Sequence, residues 1–278
     1  MEETDLPAAM EIKDAEGWNQ TLEDWRFFLT QDPYLCLVAT DRQVIIGTVT
    51  AVPYKSKLAW IGMMLVRENF RGLGIGKLLM ENILKRLEDY PAIKLDATPA
   101  GFPLYEKLGF LREYSIFRSV CPFISMKNEN MSGKDQIRSA TKKDLPAITA
   151  YDQDIFGINR DSVLKHLMTQ SPDSAWLAED GRTIKGYLLG RPGSNYFQLG
   201  PLVAGSTETA IDLVRHALKN YQGQSVVVDL IGGKEDLLSW LQLRGFTIRR
   251  ELIRMYYRNN PYPEDLSRHF LIAGPELG

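Results

Sequence analysis

The feature that most constrains this chain is that its pattern occurs twice. Asp5-Leu6-Pro7-Ala8 reappears as Asp144-Leu145-Pro146-Ala147, and Gly47 in its apolar run as Gly186. Leu65-Val66 reappears as Leu202-Val203, and Leu108-Gly109-Phe110 as Arg244-Gly245-Phe246, so the offsets are 139, 139, 137 and 136 residues. A near-constant offset across a whole half implies two copies of one fold. A chain of 278 residues gives each copy the length of an ordinary domain. Residues 1–121 read as the first unit, and the polar, aperiodic stretch 122–134 as a linker. Residues 135–278 read as the second unit, ending in a tail, 259–278.

Within the first unit, Thr4-Asp5-Leu6-Pro7 opens a short helix, and Thr21-Leu22-Glu23-Asp24 has the pattern of a capping box that starts a second. Tyr34 to Thr40, Val44 to Val52 and Leu58 to Val66 read as three strands joined by short polar turns, hence an antiparallel meander. After Val66 comes a turn, Arg67 to Gly76, carrying Arg71, Gly72, Gly74 and Gly76. Leu79, Met80, Ile83, Leu84 and Leu87 then recur at helical spacing. That helix must return the chain to a strand at Ala92 to Asp96, one parallel crossover. A short helix around Leu104 to Leu108 and a strand from Phe110 to Ser119 complete the unit.

Glycines just ahead of a helix let several backbone N–H groups converge on one point, because no Cβ obstructs the approach. The positive end of the helix dipole favours a phosphate there, and Arg71 adds a fixed charge. The turn therefore reads as a pyrophosphate cradle. It is not a Walker loop, because Gly76-Lys77 is followed by Leu78, nor a dinucleotide fingerprint, because the third glycine's place holds Lys77.

The spacing Arg-x-x-Gly-x-Gly (Arg71, Gly74, Gly76) after a strand ending Leu65-Val66 resembles the acyl-CoA-binding motif of the GNAT superfamily of N-acetyltransferases. The stretch Leu104-Tyr105-Glu106-Lys107-Leu108-Gly109-Phe110 resembles the family's second motif, with a tyrosine four residues before Gly-Phe. The resemblance implies an α+β class, here two tandem GNAT folds, each a mixed, mostly antiparallel sheet flanked by helices. There are departures. Thr98 stands where the family commonly has asparagine, and no first strand precedes Thr4, whereas Ile137 to Ala140 supplies one in the second copy. The second copy has also lost the cradle. Arg71, Gly72, Gly74 and Gly76 fall there on Glu208, Thr209, Ile211 and Leu213 inside a helix from Thr207 to Tyr221, and the tyrosine position is Leu241. The arrangement resembles tandem GNAT proteins in which only the N-terminal domain is catalytic, and Gly17-Trp18-Asn19-Gln20-Thr21 and Asp96-Ala97-Thr98-Pro99 strengthen that likeness.

From the resemblance follow direct attack of an amine on acetyl-CoA and a set of expected site residues. Met64, Leu65, Val66, Arg71, Gly72, Leu73, Gly74, Ile75, Gly76, Lys77, Thr98 and Tyr105 are expected to hold the cofactor. Tyr105 is expected to protonate the leaving thiolate, Asp96 is the candidate base, and Trp18, Asn19 and Trp60 are candidate acceptor contacts. The acceptor is expected to be a primary amine of a small molecule or peptide. The alternative is a non-catalytic acyl-CoA-binding module with the same cradle.

Other classes find no support. With 33 basic and 35 acidic residues, the net charge of −2 suggests no broad attraction to nucleic acid or membrane. Arg249, Arg250, Arg254 and Arg258 beside Tyr256 and Tyr257 read as a strand with alternating solvated charges. His166, His216 and His269 are isolated, so no metal site is expected, and Cys36 and Cys121 read as core fillers. No membrane-length apolar run or signal sequence is visible, so a cytoplasmic monomer or homodimer is expected. His269 to Ala273 reads as a short apolar strand that folds back onto a sheet edge or shapes the acceptor cleft.

Overall fold

The computed structural model describes residues 1–126 and 135–278; the rest of the expected linker, 127–134, lies outside the described residues. Its first copy runs α1 (Leu6–Ala15), α2 (Leu22–Gln31), β1 (Cys36–Asp41), β2 (Val44–Tyr54), β3 (Leu58–Val66), α3 (Ile75–Arg86), β4 (Ala92–Ala97), α4 (Phe102–Lys107) and β5 (Phe110–Cys121). The second runs β6 (Gln136–Ser139), α5 (Leu145–Phe156), α6 (Asp161–Gln170), β7 (Ala175–Asp180), β8 (Thr183–Arg191), β9 (Phe197–Ala204), α7 (Thr207–Leu218) and β10 (Val226–Ile231). It ends with α8 (Glu235–Gln242), β11 (Thr247–Tyr257) and β12 (His269–Leu271).

Local chemistry sets the matching helix starts. α1 and α5 both carry proline in their first turn, where a missing N–H costs nothing. Asp5 stands at the position before α1 but makes no side-chain capping bond to it. Thr21 and Asp24 form the reciprocal capping box at α2, and Trp25 and Phe28 on its inner face are fully buried. β1, β2 and β3 form the antiparallel meander, and α3 returns the chain so that β4 lies parallel to β3.

The copies do not keep separate sheets. Among the described residues twelve strands join in one sheet, in the order β1-β2-β3-β4-β11-β5-β10-β12-β9-β8-β7-β6. β11 of the second copy lies antiparallel between β4 and β5 of the first, and β5 in turn lies between β10 and β11. β11, the strand that follows α8, takes the place beside β4, and β5, the strand that follows α4, takes the place beside β10. The expected division at residues 122–134 therefore divides the sequence but not the sheet. It also corrects the expectation for β11. Its inner part hides Arg254 completely, whereas Arg249 is exposed as expected and Arg250 and Glu251 are half-buried.

The tail does fold back. β12 enters between β9 and β10, pairing Leu271 with Leu230 on one side and with Leu202 on the other. Phe270, Leu271, Ile272, Ala273 and Leu277 are buried. No helix among the described residues is long and apolar enough to cross a membrane.

Candidate active site

The site begins where β2 and β3 leave register. Between the pairs Thr48↔Leu65 and Thr50↔Gly62, β2 has one residue, Val49, and β3 has two, Met63 and Met64. Met63 sits at φ +50°, a region that side chains avoid, and the Thr48 hydroxyl donates to its carbonyl at 2.7 Å. Such a bulge bends a strand and re-aims its groups. The parallel ladder from β3 to β4 stops at Ile61↔Leu95, so Gly62 to Val66 have no strand partner on that side.

The glycine turn stands at the end of this open edge. Gly74 is the residue before α3 and holds φ +83°; Gly72 holds φ +76°, and a Cβ at either would meet nothing within 4 Å. Both are glycine for their backbone conformation, and both face open space. The first helical bond runs from Leu78 N–H to Gly74 C=O, so the amides of Gly74, Ile75, Gly76 and Lys77 have no partner inside the helix. Gly76 lies against Met64, whose Cε is 2.7 Å from where a Cβ would stand. Arg71 donates from Nε to the Val66 carbonyl at 3.1 Å and pairs with Glu16 in the α1–α2 connection. Leu73 is exposed, and Lys77, also exposed, lies 3.7 Å from Glu81. Open amides, a cation and an unladdered strand edge fit an acyl thioester that carries a diphosphate.

Tyr105 on α4 comes to the same cleft. Burial pushes its phenol up to about 12, and its hydroxyl has no hydrogen-bond partner among the described residues. Gly101, close beside its ring, lets α4 start there; the Thr98 hydroxyl accepts from the Gly101 N–H at 3.2 Å. One cavity is lined by Met63, Met64, Thr98 and Tyr105 from the first copy and by Arg250, Leu252, Pro275 and Glu276 from the second. Trp18, Gln20, Asp96 and Arg118 complete its polar wall.

Three expectations change. Asp96 reaches this wall, but both its oxygens accept from Arg254, at 2.8 and 2.9 Å, with its side chain fully buried. Burial raises its pKa to about 6 against the pull of Arg254, yet a carboxylate clasped at both oxygens is a structural partner, not a free base. Trp60 is fully buried: its indole N–H donates to the Pro275 carbonyl at 3.0 Å, and Arg254 stacks over its ring at 4.3 Å. It is a platform beneath the cleft. Asn19 is also buried, and its side chain ties the copies together by accepting from the Asn195 and Tyr196 amides and donating to the Tyr196 carbonyl. Of the three acceptor candidates only Trp18 lines the cavity.

Arg254 is the hub beneath the cavity. It donates to Glu264 at 2.7 Å and to the Tyr114 hydroxyl, and Glu264 takes His269 at 2.8 Å. Burial lowers the His269 pKa. Among the described residues no group of three or more His, Cys, Asp or Glu is placed to hold a metal ion.

The second copy carries the same bulge, with Gly200-Pro201 where the first has Met63-Met64. Pro201 has no N–H to offer. The gap between β9 and β10 is filled by β12, and Ile272 O lies where a Gly200 side chain would be. The α7 N-terminus is capped by Ser206 instead of opening onto a glycine turn. Among the described residues the second copy thus lacks the open strand edge and the glycine turn of the first, and Pro201 removes one amide from its bulge.

A bulged strand edge, a glycine turn ahead of a helix and the Tyr105 phenol meet at this cleft, and two family models place the chain among the acyltransferases. The family model described as "Acetyltransferase (GNAT) family" matches residues 3–110, and that described as "Acetyltransferase (GNAT) domain" matches residues 148–271. The chain belongs to the GNAT family as a tandem member. It is 25% identical over 267 residues to holothin acyltransferase of Pseudoalteromonas sp., covering 95% of this chain and 88% of that one. It is 26% identical over 167 residues to the uncharacterized N-acetyltransferase YitH of Bacillus subtilis, spanning 60% of this chain and 58% of that protein's length. A Pyrococcus horikoshii crystal structure shares the fold over 100% of this chain and 94% of its own, with TM-score 0.82 and 22% identity.

Proposed function

We propose that the first copy transfers an acetyl group from acetyl-CoA to the primary amine of a small molecule, and that the second copy walls the acceptor side. The observation carrying this reading is that the unladdered edge of β3, the open α3 amides and the free Tyr105 hydroxyl meet at one cavity whose far wall is Arg250, Leu252, Pro275 and Glu276. Acetyl-CoA supplies an acyl group on a good leaving group. Arg71 and the amides from Gly72 to Lys77 bind its diphosphate, and the amides of Met64 and Val66, on the side of β3 away from β2, steady the thioester arm and the oxygen on which charge develops. The amine attacks the carbonyl carbon, the C–S bond breaks, and Tyr105 gives its proton to the leaving sulfur. Solvent takes the proton the amine loses and restores that of Tyr105, because the two carboxylates in the wall are engaged, Asp96 by Arg254 and Glu276 by Arg191 and Gln20.

A small acceptor is favoured over a long peptide because Pro275 and Glu276 lie across the cleft, with Glu276 Cα 2.9 Å from the Cβ position of Gly62. The test is a panel of small amines and short peptides assayed for free thiol release from acetyl-CoA. Release with a small amine supports the reading; tight acetyl-CoA binding without release across the panel would sink it.

A further inference from the structure

Arg250 and Arg118 stand directly opposite each other in the β11–β5 ladder and both line the cavity. Like charges on opposed positions destabilise a sheet unless something else satisfies them. Arg118 is satisfied: its Nε and Nη2 each donate to Asp229 at 2.7 Å. The other charged groups in the wall are engaged as well, Asp96 by Arg254 and Glu276 by Arg191. Arg250, half-buried, has no hydrogen bond or ion pair among the described residues. A register shift between Ile248 and Arg250 places it there, because the bulge at Arg249 resets which side chains face the cavity. Arg250, Leu252 and Arg254 then share the inner face, while Glu251 pairs on the other side with Arg112 and Ser115.

A second unsatisfied group lines the same cavity. Gln20 is 3% exposed; its Nε2 donates to Glu276 at 2.6 Å, which fixes the amide's orientation, and its Oε1 has no partner among the described residues. The cavity therefore offers one uncompensated cation and one buried acceptor atom.

We propose that the acceptor is an amino-acid-like amine whose carboxylate is bound by Arg250 while its N–H is received by Gln20 Oε1. One unpaired guanidinium calls for one negative charge, and its planar fork matches a carboxylate. Burial and the neighbouring Arg118 both lower the Arg250 pKa, a cost that an anion in the cavity removes. Because Arg250 comes from the second copy, that copy would select the acceptor for a site in the first. This inference rests on the transferase reading for its amine.

The test uses matched acceptors that differ only in the carboxylate, an amino acid and its primary amide, with the full-length protein. Wild type is expected to favour the carboxylate by about 100-fold in kcat/KM, as a charged hydrogen-bonded pair warrants. Arg250→Gln should collapse that ratio towards unity through KM, and Arg250→Lys should restore part of it. Equal use of both acceptors by wild type would overturn the proposal, as would an Arg250→Gln enzyme that keeps the preference or loses acetyl-CoA affinity in step. If no amine is acylated, calorimetry of the amino acid against CoA-loaded protein decides. Binding abolished by Arg250→Gln keeps this proposal while the transferase reading fails; no binding overturns it.

Discussion

Tyr105 packs edge-on against Phe110 at a centroid distance of 6.0 Å while its hydroxyl stays unclaimed among the described residues, a combination that packing alone does not require. Tyr105→Phe should lower kcat by about 10²- to 10⁴-fold, the range for a well-placed acid, and leave acetyl-CoA affinity within a few-fold. Steady-state kinetics beside calorimetry separates the two, and an unchanged kcat would remove the residue from the chemistry. The acidic form is the working one, and burial pushes its pKa up to about 12. Activity should then rise with pH as the acceptor amine deprotonates and hold through pH 10, with no falling alkaline limb. Tyr105 was legible because its spacing to Gly109-Phe110 is local. Arg250 and Glu276 were not, because they reach the cavity from positions far along the chain, and a strand read as solvated gave no hint of facing inward. Asn19 and Trp60 were misread for the same reason: their partners, Asn195 to Gln198 and Pro275 with Arg254, are distant in sequence.

The glycine turn was legible as a local pattern, since a strand, a run of glycines and an amphipathic helix are contiguous. β3 was expected at its observed bounds, and α3 buries Leu79, Met80 and Ile83 of the expected helical repeat. What sequence alone did not reveal was the bulge at Met63-Met64, because a side-chain residue at φ +50° carries no signature of its own. Comparison of the copies shows what the element needs. Gly74→Glu would force a side chain into φ +83° and set a negative charge at a helix N-terminus that has to receive phosphate. Calorimetry should show CoA binding weakened by about 100-fold or more, with the melting temperature lowered only by the few degrees that about 1–3 kcal/mol of backbone strain costs. Wild-type affinity in that variant would mean that the diphosphate lies elsewhere.

At the scale of the molecule, the duplication was legible but its consequence was not. Offsets reveal two copies; they do not show that β5 and β11 have exchanged places or that the tail has entered the second copy's gap. With each half completing the other's sheet, loss of either should abolish both. The tail extends the same dependence. β12 fills the gap between β9 and β10 with ladder bonds, and the residues after it fasten the first copy: the Tyr54 hydroxyl donates to Leu277 O at 2.6 Å and Trp60 to Pro275 O. Glu276 answers Arg191, whose other partner is Asp24 of the first copy. Deleting residues 261–278 removes the buried side chains of Phe270, Leu271, Ile272 and Leu277, each contributing about 1.5–3 kcal/mol. It also leaves Arg191 and Arg254 short of a buried carboxylate. The apolar loss alone is comparable with the about 5–15 kcal/mol that holds a domain folded. The truncated chain should therefore show no cooperative thermal transition by circular dichroism, in either half. A truncation that melted as wild type does and still acylated amines would show that the tail is dispensable to both the fold and the cleft.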